Sequence, residues 1–310
     1  MKRGDKVWFN GQMVAVEDAK LSLFTHALHY GTGAFEGIRA YKQKSGGGAI
    51  FRLQDHSERL VESLKIMGLK SPYTADEISK ACIDACKANH FEECYIRPIA
   101  FIGEGPLGVY PGENPKVDLA VLTWEWGSYL GERGILEGAR LKISTFNRPH
   151  VNSIMTRGKI SGHYVTGVLA KREAKSQGFD EALLLDTEGF LAEGSGENLF
   201  MIKKGVIKTA PLTSILSGIT RNTVLQYFEH QGYKVVCERF TRDDLYCADE
   251  AFLTGTAAEI TPIQSVDGRL IGEGKPGPIS KKLQQDYQKI VRGELLQDYM
   301  KNWNASFKLN

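Results

Sequence analysis

Short strand patterns with irregularly spaced helices fill the second half of the chain, and they constrain its fold most. Strands are predicted at 181–186, 190–192, 199–202, 206–209 and 250–253. Two helical patterns, 162–176 and 219–231, lie among them. A doubly wound parallel sheet requires strands and helices that alternate regularly, so this order argues against such a sheet and favours an α+β fold.

The first 124 residues carry their own patterns and predict a smaller α+β domain. Asn10-Gly11 separates two short strand patterns, which is a strong hairpin signal. Thr74 and Glu77 form a capping box that predicts the start of a helix. The remaining patterns are a helix at 53–67, the capped helix to about 89, and strands at 49–52, 93–102 and 117–124.

Residues 125–135 have no clear period and are predicted to connect a small domain, 1–124, to a large domain, 136–310. An active site is expected in the cleft between these two α+β domains. The hydrophobic content of 42% and charged content of 25% are those of an ordinary folded protein. A chain of 310 residues buries enough surface to fold without a disulfide or a metal.

Charge and cysteine usage argue against several function classes. A net charge of +2 gives no indication of binding to nucleic acid or to a membrane surface. The five cysteines form no C-x-x-C pair, so we expect buried thiols rather than a disulfide framework or a zinc site. Because no apolar run has the length of a signal peptide or of a membrane helix, we expect a cytoplasmic protein.

Three motifs resemble ligand sites but lack the context that such sites need. Segments 103–108 and 272–277 match G-x-G-x-x-G, yet each contains a proline and neither runs directly into a helix. His26 and His29 have H-x-x-H spacing, but no further metal ligand follows at a suitable distance. We therefore predict turn-rich loops, hydrogen-bonded histidines and no metal site.

Four segments of the second half fit one ligand together, although each alone could be an ordinary loop, cap or surface lysine. Lys159 lies among small residues before a helix, where a desolvated amine could attack a carbonyl. Segment 191–200 places two carboxylates among glycines, and 216–221 and 253–262 offer amides and hydroxyls to an anion. A lysine, a carboxylate for a ring nitrogen and a phosphate cradle are what pyridoxal phosphate requires.

Six segments extend this set along nearly the whole chain, at 25–33, 35–39, 95–98, 192–200, 218–221 and 255–262. With them the chain resembles, from about residue 7 to 287, the branched-chain-amino-acid aminotransferases. These are class IV aminotransferases, or fold-type IV pyridoxal-phosphate enzymes. The resemblance implies a small N-terminal α/β domain and a larger C-terminal pseudo-barrel domain. It also implies transamination between L-leucine, L-isoleucine or L-valine and 2-oxoglutarate, giving branched 2-oxo acids and L-glutamate.

The resemblance further implies a role for individual residues. Lys159 would form the internal aldimine with pyridoxal 5′-phosphate and carry a proton, while Glu193 would pair with the pyridine nitrogen. Tyr164 would bind the 3′-oxygen of the cofactor. The other implied contacts are Arg59, Ile219, Thr220 and Thr256 for the phosphate, Thr256 and Ala257 for the α-carboxylate, Phe35, Tyr95, Trp126 and Tyr129 as pocket walls with Arg97 beside them, and Tyr30 and Val109 for the neighbouring subunit's site.

The motif after the lysine departs from the pattern that this family commonly shows. Family members often read Lys-x-Gly-Gly-Asn-Tyr, whereas residues 159–164 read Lys-Ile-Ser-Gly-His-Tyr. The spacing from Lys159 to Tyr164 is retained, so the cofactor chemistry is expected to be unchanged. His163 in place of the usual asparagine is expected to alter only the packing behind the ring.

Other enzymes of the same fold remain as alternatives. A D-amino-acid transaminase or a 4-amino-4-deoxychorismate lyase would share the lysine, the carboxylate and the phosphate cradle. Tyr95-x-Arg97 together with Trp126 and Tyr129 favours the branched-chain class. The expected partners are small amino acids and 2-oxo acids, and the expected assembly is a homodimer at least, or a trimer of dimers.

Overall fold

The computed structural model describes residues 2–127 and 129–309, whose contacts divide them into two compact units. Unit 1 comprises 2–126, 158–162 and 289–309, and unit 2 comprises 127, 129–157 and 163–288. Ser128, in the predicted connection, lies outside the described residues. Segments 158–162 and 289–309 differ from the predicted limits, because Ile160 pairs with Ala34 and strand 304–307 pairs with strand 48–51.

The elements have the following bounds along the chain. The strands are β1 (Lys6–Phe9), β2 (Gln12–Ala15), β3 (Gly33–Phe35), β4 (Ile38–Lys42), β5 (Gly48–Phe51), β6 (Cys94–Ile102), β7 (Val117–Trp124), β8 (Ala139–Ile143), β9 (Glu181–Leu185), β10 (Leu191–Gly194), β11 (Asn198–Lys203), β12 (Val206–Thr209), β13 (Val235–Cys237), β14 (Glu250–Gly255), β15 (Glu259–Val266), β16 (Arg269–Leu270) and β17 (Asn304–Phe307). The α-helices are α1 (His26–Tyr30), α2 (Leu53–Ile66), α3 (Ala75–Ala88), α4 (Gly131–Glu137), α5 (Tyr164–Ser176), α6 (Ile219–His230), α7 (Arg242–Tyr246) and α8 (Pro278–Val291). Short 3₁₀ turns lie at Ser161–His163 and Asp298–Met300.

Unit 1 is a mainly antiparallel sheet with α2 and α3 packed on its core. Within the described residues the strand order is β17-β5-β4-β6-β7-β1-β2, and β3 also pairs with β6. Asn10 and Gly11 both have positive φ, 48° and 92°, as a two-residue hairpin between β1 and β2 requires. Leu60 and Leu64 lie one helical turn apart on α2, so both are buried in the core of the unit.

Unit 2 contains a closed barrel. The order β10-β9-β8-β15-β14-β11 returns to its start because β10 also pairs with β11, while β12 and β13 extend the sheet from β11. Alternate residues of each strand face one apolar core, for example Leu183 and Leu185 of β9 and Leu199 and Met201 of β11. The predicted α+β class with a barrel-like second part is therefore confirmed.

Some elements differ from the sequence prediction. Helix α4 begins at Gly131, inside the stretch predicted to be irregular, because contacts with β15 and β8 outweigh its weak helix propensity. The expectation of buried thiols is wrong for Cys237 and Cys247, which are exposed, and correct for the other three cysteines. In the part of the chain that the structure describes, no helix is long and apolar enough to cross a membrane.

Candidate active site

The backbone of Lys159 is fixed by two hydrogen bonds within unit 1. Its N–H donates to Ser63 Oγ at 2.9 Å, and its carbonyl accepts from the N–H of Phe35 at 3.0 Å. Ser63 Oγ in turn donates to the carbonyl of Arg59, at 2.8 Å in the preceding turn of α2. The predicted nucleophile and the predicted phosphate-binding arginine are therefore anchored to one helix.

One aromatic ring contacts both the lysine and a second arginine. Lys159 Nζ lies 5.1 Å from the centroid of the Phe35 ring, and the Arg97 guanidinium carbon lies 4.7 Å from it. Arg97 also lies over Tyr95 and Trp124, at 5.5 Å and 5.7 Å from their ring centroids. Its Nε is buried and has no hydrogen-bond partner in the described part of the chain. Arg97 is therefore a cation held in an aromatic surround, as cation–π attraction favours.

The aromatic surround continues at the ends of the central strands β6 and β7. The ring of Tyr95 lies 5.1 Å from that of Trp124 and 4.6 Å from that of Trp126. Sequence analysis did not identify Trp124, although it is paired with Tyr95 across β6 and β7. A side chain at Gly37 would collide with the Tyr95 hydroxyl, which explains the glycine two residues after Phe35.

Glu36 joins His56 and Arg59 in a buried network. Its oxygens accept from Arg59 Nε at 2.7 Å, from Arg59 Nη2 at 2.8 Å and from His56 Nδ1 at 2.6 Å. Burial alone would raise the pKa of Glu36, but the charge of Arg59 and the hydrogen bonds from Arg59 and His56 hold that pKa well below its usual range. Burial lowers the pKa of His56 more than Glu36 raises it, so the imidazole stays neutral. Sequence analysis assigned no role to Glu36 or His56.

The residues predicted to reach a neighbouring subunit lie at the surface of unit 1. Tyr30 is 44% exposed and donates to the carbonyl of Leu107 at 2.7 Å, and Val109 is 83% exposed. His26 is fully buried, with one ring nitrogen 2.9 Å from the carbonyl of Gly108. The hydrogen-bonded role predicted for His26 is thereby confirmed, and its contacts position the loop that carries Val109.

The carboxylate of Glu193 in unit 2 is held by a cation and by neutral donors. Arg148 Nε lies 2.9 Å from one oxygen, while the other accepts from Asn198 Nδ2 at 3.0 Å and from the N–H of Leu216 at 3.1 Å. Glu193 is 6% exposed, so these donors take the place of water around a buried charge. Arg148 lies in a loop and belongs to no motif, so no local pattern could have identified it.

Helix α6 presents an open N-terminus close to this carboxylate. Its N-cap is Gly218, which has no side chain to accept from the first amides of Ile219 and Thr220. Any side chain at Gly218 would collide with Oδ1 of Asn198, the residue that binds Glu193. Ile219 and Thr220 are buried, so their amides are directed at a sheltered point that suits an anion.

The remaining predicted residues of unit 2 lie on three elements. Thr256 and Ala257 form the turn between β14 and β15. They follow Thr254, whose buried hydroxyl has no hydrogen-bond partner within residues 2–127 and 129–309. Tyr164 is the first residue of α5. The ring centroid of Tyr129 lies 4.9 Å from Lys171 Nζ. Each unit therefore contains a part of the set of site residues predicted from the sequence.

A family match and a similar known protein each cover most of the chain. The amino-transferase class IV family matches residues 33–266, from β3 through β15. The branched-chain-amino-acid aminotransferase of Pseudomonas aeruginosa is 49% identical over 292 residues, which cover 94% of each chain.

Two solved structures give the same result for the backbone. The crystal structure of Escherichia coli branched-chain amino acid aminotransferase superposes with a TM-score of 0.95 at 40% identity, covering 98% of this chain and 99% of the other. That of the branched-chain amino acid aminotransferase from Thermobaculum terrenum in its PLP-bound holo form gives a TM-score of 0.90 at 34% identity, covering 98% of this chain and 99% of the other.

Proposed function

Because this chain belongs to the class IV aminotransferase family, we propose that it is a branched-chain-amino-acid transaminase that uses pyridoxal 5′-phosphate. It transfers the amino group of L-leucine, L-isoleucine or L-valine to 2-oxoglutarate and releases L-glutamate. The names of relatives that share 94% or more of its length support this substrate class. The structural observation that best supports this activity is the position of Arg97, a half-buried cation surrounded by aromatic rings.

The residues present fit the cofactor. The open N-terminus of α6 suits a phosphate, and the hydroxyl of Thr254, which has no hydrogen-bond partner among the described residues, marks a polar point that a ligand could satisfy. Glu193 is an ionised acceptor suited to a protonated ring nitrogen, and Lys159 supplies the amine. Bound pyridoxal phosphate supplies an aldehyde carbon for that amine and a ring that withdraws electrons from the substrate's α-carbon.

We propose the following role for each residue toward the cofactor and the substrate. Lys159 would hold the aldehyde carbon until the amine of the substrate replaces it, and its freed amine would then move a proton to and from the α-carbon of the substrate. Glu193 holds the proton of the ring nitrogen, and Tyr164 donates to the 3′-oxygen. Arg59, Ile219, Thr220 and Thr256 hold the phosphate, the amides of Thr256 and Ala257 hold the α-carboxylate, and Tyr129 contacts the side chain of the substrate.

One side-chain pocket must accept two unlike substrates in turn. The walls formed by Phe35, Tyr95 and Trp126 exclude water from an aliphatic side chain, which contributes about 0.8 kcal/mol per buried methylene. The γ-carboxylate of glutamate instead requires a charge-assisted partner, worth roughly 1.5–3 kcal/mol. Arg97 provides that partner, since its guanidinium stands among the same rings.

Amino-donor rates with 2-oxoglutarate test the proposed activity directly. L-Leucine, L-isoleucine and L-valine should react, L-phenylalanine more slowly, and D-alanine not measurably. A preference for D-alanine would identify a D-amino-acid transaminase, and turnover of 4-amino-4-deoxychorismate alone would identify the lyase. Lys159→Ala should abolish turnover and borohydride trapping of the cofactor, whereas Lys175→Ala, at an exposed position on α5, serves as the matched control.

We also propose a homodimer in which Tyr30 and Val109 reach the neighbouring subunit's site. Their exposure at the surface of unit 1 supports this placement. Mixing inactive Lys159→Ala subunits with inactive Val109→Arg subunits should then restore activity, because one site of each mixed dimer is intact. Mixtures that stay inactive, although light scattering shows dimers that exchange subunits, would contradict the shared site. A cytoplasmic location stays a prediction from the sequence.

A further inference from the structure

A pair of buried glutamates, Glu181 and Glu197, lies at the turn that follows Glu193. The turn between β10 and β11 consists of residues 195–197, and it is closed by the Gly194 N–H, which donates to the carbonyl of Glu197 at 2.6 Å. Glu193 and Asn198 flank this turn and are paired across the two strands. Any movement of the turn therefore moves the carboxylate and the amide that holds it.

Glu181 anchors this turn from β9. Its carboxylate accepts from Ser195 Oγ at 2.7 Å, from the amide of Ala182 at 2.7 Å and from Lys171 Nζ on α5. Its side chain is fully buried. The three donors make Glu181 the acceptor carboxylate of the pair.

Glu197 has a different environment. It is 4% exposed, and one of its oxygens accepts from the Gly196 N–H at 3.1 Å. Its carboxyl is close enough to that of Glu181 to feel its charge, and Lys171 is the cation that faces the pair. Burial first, and the charge of Glu181 second, raise the pKa of Glu197 to about 8. At neutral pH Glu197 therefore keeps its proton.

The packing leaves no room for a displaced carboxyl. A Cβ built on Gly194 would lie 2.6 Å from Glu197 Oε2, so the carboxyl is packed against the backbone one residue after Glu193. A second negative charge at this place would repel Glu181 at close range. The turn would have to open, and Glu193 would move with it.

We propose that Glu197, which packs against Gly194 in the turn that Ser195 ties to Glu181, is a positioning residue that fixes the turn between β10 and β11 and so aims Glu193 at the ring nitrogen. Neither glutamate touches the reacting atoms. Their effect on turnover rests on the proposed function, because it acts through Glu193. Their effect on folding does not depend on any activity.

Glu197→Gln tests the protonation of Glu197, because glutamine keeps the size and the donor but carries no charge at any pH. The unfolding temperature of the holoenzyme is measured from pH 5 to pH 9 for wild type, Glu197→Gln and the control Glu188→Gln. Glu188 is an exposed glutamate paired with Arg239, and it has no proposed role.

The sign of the expected shift follows from the raised pKa of Glu197. The folded state keeps a proton that the unfolded state has lost, so stability falls as pH rises from about 4.5 towards 8 and is unaffected above that range. Wild type and Glu188→Gln should therefore lose unfolding temperature relative to Glu197→Gln between pH 5 and pH 8, with a constant difference at higher pH. Parallel curves for all three proteins would overturn the protonation of Glu197.

The pH profile of kcat tests the positioning role. One pH unit above the pKa about a tenth of the molecules keep the proton, so wild type should lose about 10-fold more kcat than Glu197→Gln between pH 7 and pH 9. The KM for L-leucine should stay within about 2-fold, since the aromatic pocket is not affected. If both proteins lose kcat equally while the unfolding curves differ as expected, the pair stabilises the fold only. That result would overturn its role in aiming Glu193.

Discussion

Two buried glutamate–arginine pairs, one in each unit, have opposite arrangements. In unit 1 the arginine is the proposed ligand, and Glu36 holds Arg59 from behind with bonds of 2.7 Å and 2.8 Å. In unit 2 the carboxylate is the proposed ligand, and Arg148 holds Glu193 at 2.9 Å. Each charge that is to meet the cofactor is therefore fixed by the opposite charge.

The two pairs differ in the charge that remains when one partner is removed. Glu36 is fully buried, and it accepts from Arg59, from the neutral ring of His56 and, at 3.3 Å, from the N–H of Gly37. Its removal leaves the guanidinium of Arg59 without this charged acceptor, whereas removal of Arg148 leaves Glu193 with two neutral donors, the Asn198 amide and the Leu216 N–H. The two pairs should therefore respond differently to mutation.

Glu36→Gln is expected to have the largest effect, on stability. The variant leaves the guanidinium of Arg59 in a buried place without its counter-charge, which typically costs about 3–5 kcal/mol. The free energy of unfolding, measured by urea denaturation without added cofactor, should fall by this amount. Cofactor affinity should fall as well, because Arg59 is no longer fixed.

Arg148→Gln is the matched change at the other pair. Glu193 keeps the Asn198 and Leu216 donors, so the loss of unfolding free energy should be clearly smaller than for Glu36→Gln. Equal losses at both pairs would show that the neutral donors contribute nothing, and the contrast between the two pairs would be wrong.

Glu193→Gln is expected to act on turnover more than on binding. It removes the negative charge that keeps the ring nitrogen protonated, so kcat should fall by at least about 10²-fold. The open N-terminus of α6 is unchanged, so the cofactor should stay bound, as its absorbance after gel filtration would show. A kcat within about two-fold of wild type would exclude Glu193 as the partner of the ring nitrogen.

Arg97 extends the comparison to an arginine without a supporting glutamate. Among the residues that the structure describes, it contacts aromatic rings, and its Nε has no acceptor. Arg97→Leu should lower kcat/KM for glutamate and 2-oxoglutarate by about 10- to 150-fold, which corresponds to the loss of one charge-assisted bond. The leucine half-reaction, followed by the cofactor spectrum, should change by less than about 5-fold. Equal losses in both directions would make Arg97 structural.

The groups proposed to bind the cofactor lie in motifs that are visible in the sequence, whereas the groups that support them do not. Lys159, Glu193 and the start of α6 lie in local motifs, and a motif is visible wherever chemistry fixes the spacing of neighbouring residues. His56 and Arg148 meet their partners only through tertiary structure, at separations of 20 and 45 residues from Glu36 and Glu193. No local spacing marks such pairs.

The same distinction applies to the fold. The hairpin at Asn10-Gly11 and the capping box at Thr74 depend on adjacent residues, and both were predicted correctly. The pairing of β17 with β5 and the helix α4 depend on distant contacts that outweigh local propensity, and neither was predicted. Elements of this second kind define the limits of the two units.

The pH dependence of stability should give the smallest effect, and it tests whether His56 is neutral beside Glu36. Burial lowers the pKa of His56 below its ordinary value of about 6.5, so below that pH the unfolded chain binds a proton that the folded chain does not. Wild type should lose up to about 1.4 kcal/mol of unfolding free energy per pH unit below pH 6.5 from this group. His56→Asn keeps a donor for Glu36 but cannot titrate, so its urea-denaturation curve from pH 7.5 to 5 should be flatter by that slope. If the two slopes are equal, His56 binds a proton in the folded protein as readily as in the unfolded chain, and Glu36 would then balance two cations instead of one below pH 6.5.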